Sequence, residues 1–169
     1  MSNIISIAER KVQNEMDRLL EEMAGELEAM LRKHSAEGIL RSGNTIRQAM
    51  NLVGKKSEVL RDVVIKHSQW VVTESIYVPI IIAEELVSIS DSIFNILMDE
   101  SRPVMKRATE VSGQPNLFAR VYPDVEESIN RSSGEARLEI EAIVASNRSR
   151  GVKGAAKFVF SGLSKLWGA

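Results

Sequence analysis

Two histidines and two adjacent carboxylate pairs are the side chains best suited to acid–base or metal chemistry: His34, His67, Glu21-Glu22 and Glu84-Glu85. A metal site inside a helical bundle calls for Glu-x-x-His pairs that share one helix face. Leu31 stands three before His34 and Val64 three before His67, so neither histidine belongs to such a pair. His34 falls on an apolar helical stripe, where a hydrogen-bonded structural role is the simplest assignment. His67 falls at the margin of a second stripe, near Glu74, as a surface or interface residue. Adjacent glutamates point about 100° apart on a helix and do not face one substrate. Both pairs lie on polar arcs and read as solvated faces. The chain has no Cys, which excludes disulfides, thiolate zinc sites and a cysteine nucleophile. It holds no nucleophile elbow, no phosphate-cradling glycine loop and no dinucleotide fingerprint. No catalytic, cofactor-binding or metal-ligating residue is therefore assigned, and a non-enzymatic chain is expected.

The sharper signal is electrostatic. Of 22 basic and 23 acidic residues, five basic and no acidic ones lie from Ala142 onward, leaving a body of 17 against 23 with net charge −6. An acidic body with a basic last segment is the main charge asymmetry. Within that segment, Val152, Ala155, Ala156, Val159, Phe160, Leu163, Leu166 and Trp167 occupy one arc of about 160° on a helical wheel. Lys153, Lys157, Ser161, Ser164 and Lys165 fill the other side, with Phe158 at the margin. This is the composition of an interfacial membrane helix, with tryptophan suited to the headgroup level. The same pattern also fits a terminal helix packed on its own acidic domain, or one docked on a partner chain. Candidate contact residues are Lys153, Lys157, Phe158, Phe160, Leu163, Lys165, Leu166 and Trp167. Nucleic acid is a poor fit, because the acidic body repels the polyanion that five cations would attract.

Positioning these residues requires helices. At 169 residues, 44% hydrophobic and 27% charged, the chain has the size and composition of one globular domain. Aromatics are sparse at 5%, and seven Met with abundant Leu, Ile and Ala suit helix-on-helix packing. The start of the chain meets Glu9, Arg10 and Lys11 too soon for a signal peptide. The most apolar stretch, Trp70–Met98, is interrupted by Glu74, Glu84, Glu85 and Asp91, which argues against a membrane span. A soluble, cytoplasmic chain follows as the expectation, with peripheral membrane attachment as its variant.

Helix one is expected from Ser2 or Asn3 to about Ser35, on the stripe Ile5, Val12, Met16, Leu19, Leu20, Met23, Leu27, Met30, Leu31, a coiled-coil-like spacing. A turn is placed near Gly38 and Ser42-Gly43-Asn44. A short helix, Thr45 to about Val53, is expected to end at Gly54-Lys55-Lys56. Between Ser57 and Glu100 the apolar arcs before and after Pro79 share one phase, which predicts a single long helix kinked at Pro79. Its arc of roughly 200° after the proline requires at least two neighbours. Ser101-Arg102-Pro103 opens a shorter helix to about Val111, residues 112–116 form a loop, and Asp124 with Glu127 makes a capping box. That box starts a helix on Val125, Ile129, Ala136, Ile140, Ile143 and Val144, ending at 147–151.

The expected fold is all-α: an elongated bundle of three long helices, the central one kinked, with short connectors and the amphipathic last helix. Residues 1–147 form the bundle and 148–169 the basic helix. The function expected first is a non-enzymatic interaction or adaptor protein that self-associates, because narrow apolar stripes are readily completed by a second copy. The alternative is a peripheral membrane protein that binds anionic lipid through residues 152–167.

Overall fold

The computed structural model describes the backbone of residues 3–75 and 80–166 and the side chains of 3–75 and 81–147. It consists of four long helices: α1 (Asn3–Ala36), α2 (Gly43–Glu74), α3 (Ile80–Val111) and α4 (Phe118–Leu166). A single 3-10 turn, Pro115–Leu117, precedes α4, and no strand occurs among the described residues.

Each helix forms because its apolar residues recur at helical spacing. In α1 the buried positions are Ile5, Ala8, Val12, Met16, Leu19, Met23, Leu27, Leu31 and His34. The steps are three and four throughout, which keeps one narrow stripe on one side for the full length. Fully buried Leu60, Val53 and Val71 of α2 face Leu97 and Met105 of α3 and Ile129 and Ile140 of α4 in one continuous core. Four buried hydroxyls are satisfied locally: Ser57, Ser101, Thr109 and Ser112 each donate to the carbonyl three residues earlier.

Consecutive helices run antiparallel. His34 meets Thr45 beside the first turn, Lys56 reaches Glu22 and Glu26, and Lys11 lies over the Trp70 ring at the far end. Helices α2 and α3 contact both of the others and each other, whereas among the described residues α1 and α4 do not touch. The cross-section is thus a rhombus with α2 and α3 on its short diagonal. At one end, α1 and α3 stop in the same way. Gly38 (φ 71°) and Gly113 (φ 73°) take the left-handed conformation, and Ile39 and Gln114 donate back to His34 and Thr109. This is the Schellman stop that glycine permits without strain.

Several sequence expectations are corrected. The helix through Pro79 is two helices: α2 stops at Glu74, and Ser75 is extended, with its amide and hydroxyl both on the Val71 carbonyl. Residues 76–79, including the proposed kink, lie outside the described residues. The two arcs agree in phase because both helices face one shared core, with α3 touching α1, α2 and α4. No break occurs at Gly54-Lys55-Lys56, since α2 continues through it. Gly54 there faces α4, with Ser128 Oγ 3.5 Å from where a Cβ would stand, an ordinary contact distance. Pro103 and Asp124 lie inside α3 and α4 instead of starting new helices. In the turn before Pro103, the Met98 carbonyl takes hydroxyls from Ser101 and Tyr122. The end expected at 147–151 is absent too, because α4 runs on to Leu166.

Candidate functional site

The last segment is positioned by α4, and α4 by α2. These two helices run parallel in a fixed register. Ser57 and Ser132 hydroxyls meet at 3.0 Å, Arg61 pairs with Glu135 at 2.6 Å, and Asn147 Nδ2 donates to the Val72 carbonyl at 3.0 Å. The sequence offset is 75, 74 and 75 at these three levels. Helix α2 ends at Glu74, so in this register its last residue stands opposite position 149. Seventeen residues of α4 follow that level, up to Leu166.

Lys153, Lys157, Phe158, Phe160, Leu163, Lys165 and Leu166 are all carried on this continuous helix. Their side chains, and Trp167 altogether, lie outside the described residues. The core stripe of α4 is Tyr122, Val125, Ile129, Ala136, Ile140 and Val144. Continued at steps of three and four, the inward positions become Asn147, Gly151, Gly154, Phe158, Ser161 and Lys165. That series holds one large apolar residue in six and cannot extend a bundle core. Meanwhile the apolar arc of 152–167 falls about 150° around the helix from the buried stripe, counted at 100° per residue.

The other candidate chemistry resolves into structure. His34 is 2% exposed, with Nδ1 2.8 Å from Thr45 Oγ1. The Thr45 hydroxyl proton is directed at the Leu40 carbonyl, so Oγ1 accepts from Nδ1–H of His34 and ties α1 to α2 across the turn. His67 is half-buried beside a small crevice lined by Ala8, Glu9, Val12, Val64, Ser68, Leu86 and Ile89. Burial, with Lys66 and Lys11 nearby, pushes its pKa down against the weaker pull of Glu15. Glu84 is exposed and Glu85 half-buried on α3. Among the described residues no three His, Cys, Asp or Glu side chains are grouped to hold a metal ion.

Sequence reasoning missed two features. Lys56 is buried and sits 2.9 Å from both Glu22 and Glu26. Burial would lower its pKa, but the hydrogen bonds and charges of Glu26 and Glu22 outweigh this and raise it. Glu22 in turn is held below the ordinary carboxylate range by its bond to Lys56. Nothing in the local pattern marks Lys56, since its partners lie one helix away. The second feature is Leu138, 68% exposed on the outer face of α4 and the most exposed large apolar side chain described. A helical wheel drawn through residues 118–166 would have found it.

No described helix is long and apolar enough to cross a membrane. No family model, curated protein or solved structure matches this chain.

Proposed function

We propose that this protein is a peripheral membrane-surface protein, in which a four-helix bundle carries a basic amphipathic helix that engages anionic lipid. The reading is carried by a change of phase in the sequence of α4. Among the described side chains its buried stripe reaches Val144, and on a helical wheel the apolar residues from Val152 onward fall about 150° from that stripe, along a helix that continues to Leu166. A terminal helix packed on its own domain would keep its apolar arc in phase with the core stripe. Cations supply the second half of the argument. Five basic residues without one carboxylate from Ala142 onward give roughly 1 kcal/mol of attraction each near an anionic surface. Binding of this kind is reversible and salt-sensitive.

The second reading is a self-associating interaction or adaptor protein, which would use a surface other than the stripes of α1 and α4, since α2 and α3 cover these within one chain. Co-sedimentation with vesicles tests the membrane reading. The intact chain is expected to pellet with anionic vesicles and not with zwitterionic ones, and a chain ending at Asn147 to stay in the supernatant. Equal behaviour of the two chains on anionic vesicles would sink it.

A further inference from the structure

The outer side of α3 changes sign along its length. From Ile80 to Glu100 the helix carries Glu84, Glu85, Asp91, Asp99 and Glu100 and no Lys or Arg, whereas Arg102, Lys106 and Arg107 follow before the next acid, Glu110. Exposed positions recur in steps of three and four from Glu84 through Ser88, Ser92 and Asn95 to Asp99, Arg102 and Lys106, so one stripe faces away from the core. Beside its first half runs a groove lined in part by Glu84, Ser88 and Asp91 of α3 and by Arg137 and Glu141 of α4. Arg137 is taken by Glu141 at 3.3 Å. The ion pairs of α3 join Arg102 to Glu126 and Arg107 to Glu28, which leaves Glu84, Asp91 and Lys106 without one among the described residues.

We infer that two copies of this chain pair antiparallel through this stripe, about a two-fold axis at Asn95, with the basic end of each α3 on the acidic end of the other. Asn95 stands eleven residues from both Glu84 and Lys106. An antiparallel pair centred there sets Lys106 of one copy opposite Glu84 of the other, and the symmetry repeats the contact. Arg102 falls opposite Ser88, within about one turn of both Glu84 and Asp91. Asp91 and Asp99 meet at one level, but they lie about 80° apart around the helix, on opposite edges of the stripe. A parallel pair would instead set Glu84 on Glu84 and Lys106 on Lys106, like charges that repel. Ser88, Ser92 and Asn95 are short enough to let the helices approach, and an amide on the axis can donate to and accept from its twin. Ile81, 58% exposed one turn before Glu84, comes under the aliphatic stem of the incoming lysine. A second copy is the occupant that fits, because the stripe carries both signs in the order that its own reversal matches. Exposed ion pairs contribute little each, so the dimer is weak and salt-sensitive. The inference rests on the self-association reading, not on the lipid one, and names its surface.

Sedimentation velocity of the intact chain tests the pairing. A dimer is expected at low salt, with no larger species, and it is expected to dissociate at high salt. Glu84→Lys and Lys106→Glu alter exposed side chains outside every described ion pair, so both variants keep the fold, which thermal melts check. Each alone reverses one partner in both symmetric contacts and is expected to weaken the dimer roughly tenfold. An equimolar mixture of the two variants again sets opposite charges against each other in both contacts, and is expected to dimerise as the parent does. A monomer under all conditions would overturn the pairing and the self-association reading together. A dimer that neither substitution weakens, a loss that the mixture fails to restore, or assembly past the dimer would overturn the pairing and leave that reading standing.

Discussion

Among the described residues, helices α1 and α4 flank the same central pair without touching each other, yet they use their lengths differently. Along α1 one apolar stripe persists from Ile5 to Leu31, and the helix stops within two turns of its end. Along α4 the buried stripe reaches Val144 among the described side chains, the helix continues to Leu166, and on a helical wheel the apolar residues of that continuation are out of phase with the stripe. A stripe that ends with its helix marks an element whose work is packing. A helix whose later apolar residues leave that phase has a second surface to present, and under the proposed function the cations of residues 148–165 draw it to anionic lipid.

The largest effect expected from this contrast is on stability. Ile140, fully buried in the inward stripe, should lose about 2–5 kcal/mol on replacement by Ala. Leu163→Ala, in the outward arc, should stay within about 0.5 kcal/mol of the parent. Urea unfolding of both variants measures the difference, and similar losses would merge the two halves of α4 into one packing surface. Next comes charge: reversing Lys153 and Lys157 to Glu should cut binding to anionic vesicles by roughly thirtyfold or more, at about 1 kcal/mol per cation removed, with the melting temperature unmoved. A smaller effect belongs to the α2–α4 contact. Gly54→Ala places a methyl at an ordinary 3.5 Å from Ser128 Oγ, so the helix-propensity gain should dominate and stabilise the bundle by up to about 1 kcal/mol. A loss instead would mean that α2 and α4 cannot separate even by tenths of an ångström.

The smallest effect is pH-dependent. Glu22 has its pKa lowered by Lys56, so its contribution is present above the unfolded value of 4.5 and fades as the pH falls through the folded one. The Lys56 pKa is raised, so its contribution is present below 10.5 and fades as the pH rises through its folded value. Lys56→Met should therefore flatten the loss of stability on acidification. Thermal melts from neutral pH into acid would read this, and an unchanged acid slope would assign that slope to other carboxylates.

Much of the bundle was legible in the sequence where one period runs unbroken. Seven of the nine stripe residues read for α1 are fully buried, and Leu20 and Met30 are half-buried at its edge. Local punctuation misled. Gly54, Pro103 and the Asp124/Glu127 box look like helix boundaries, but packing along both flanks carries the helices through them. The matched phase across Pro79 misled differently, since two hairpin helices facing one core agree in phase as well as one kinked helix does. The apolar arc of residues 152–167 was legible as a pattern, but its phase relative to the buried side of α4 was not. That comparison needs the buried side itself, which only Ile129, Ile140 and Val144 in their packed positions supply.

The change of face along α4 can be read directly by single-cysteine scanning from Ala136 to Leu166, following thiol labelling rates with and without anionic vesicles. Without lipid, positions 136, 140 and 144 should be protected and 138, 156, 159 and 163 reactive; vesicles should then protect 156, 159 and 163 while 153 and 157 stay reactive. Protection of 156, 159 and 163 in the absence of lipid would contradict the account, because the last segment would then be packed on its own bundle.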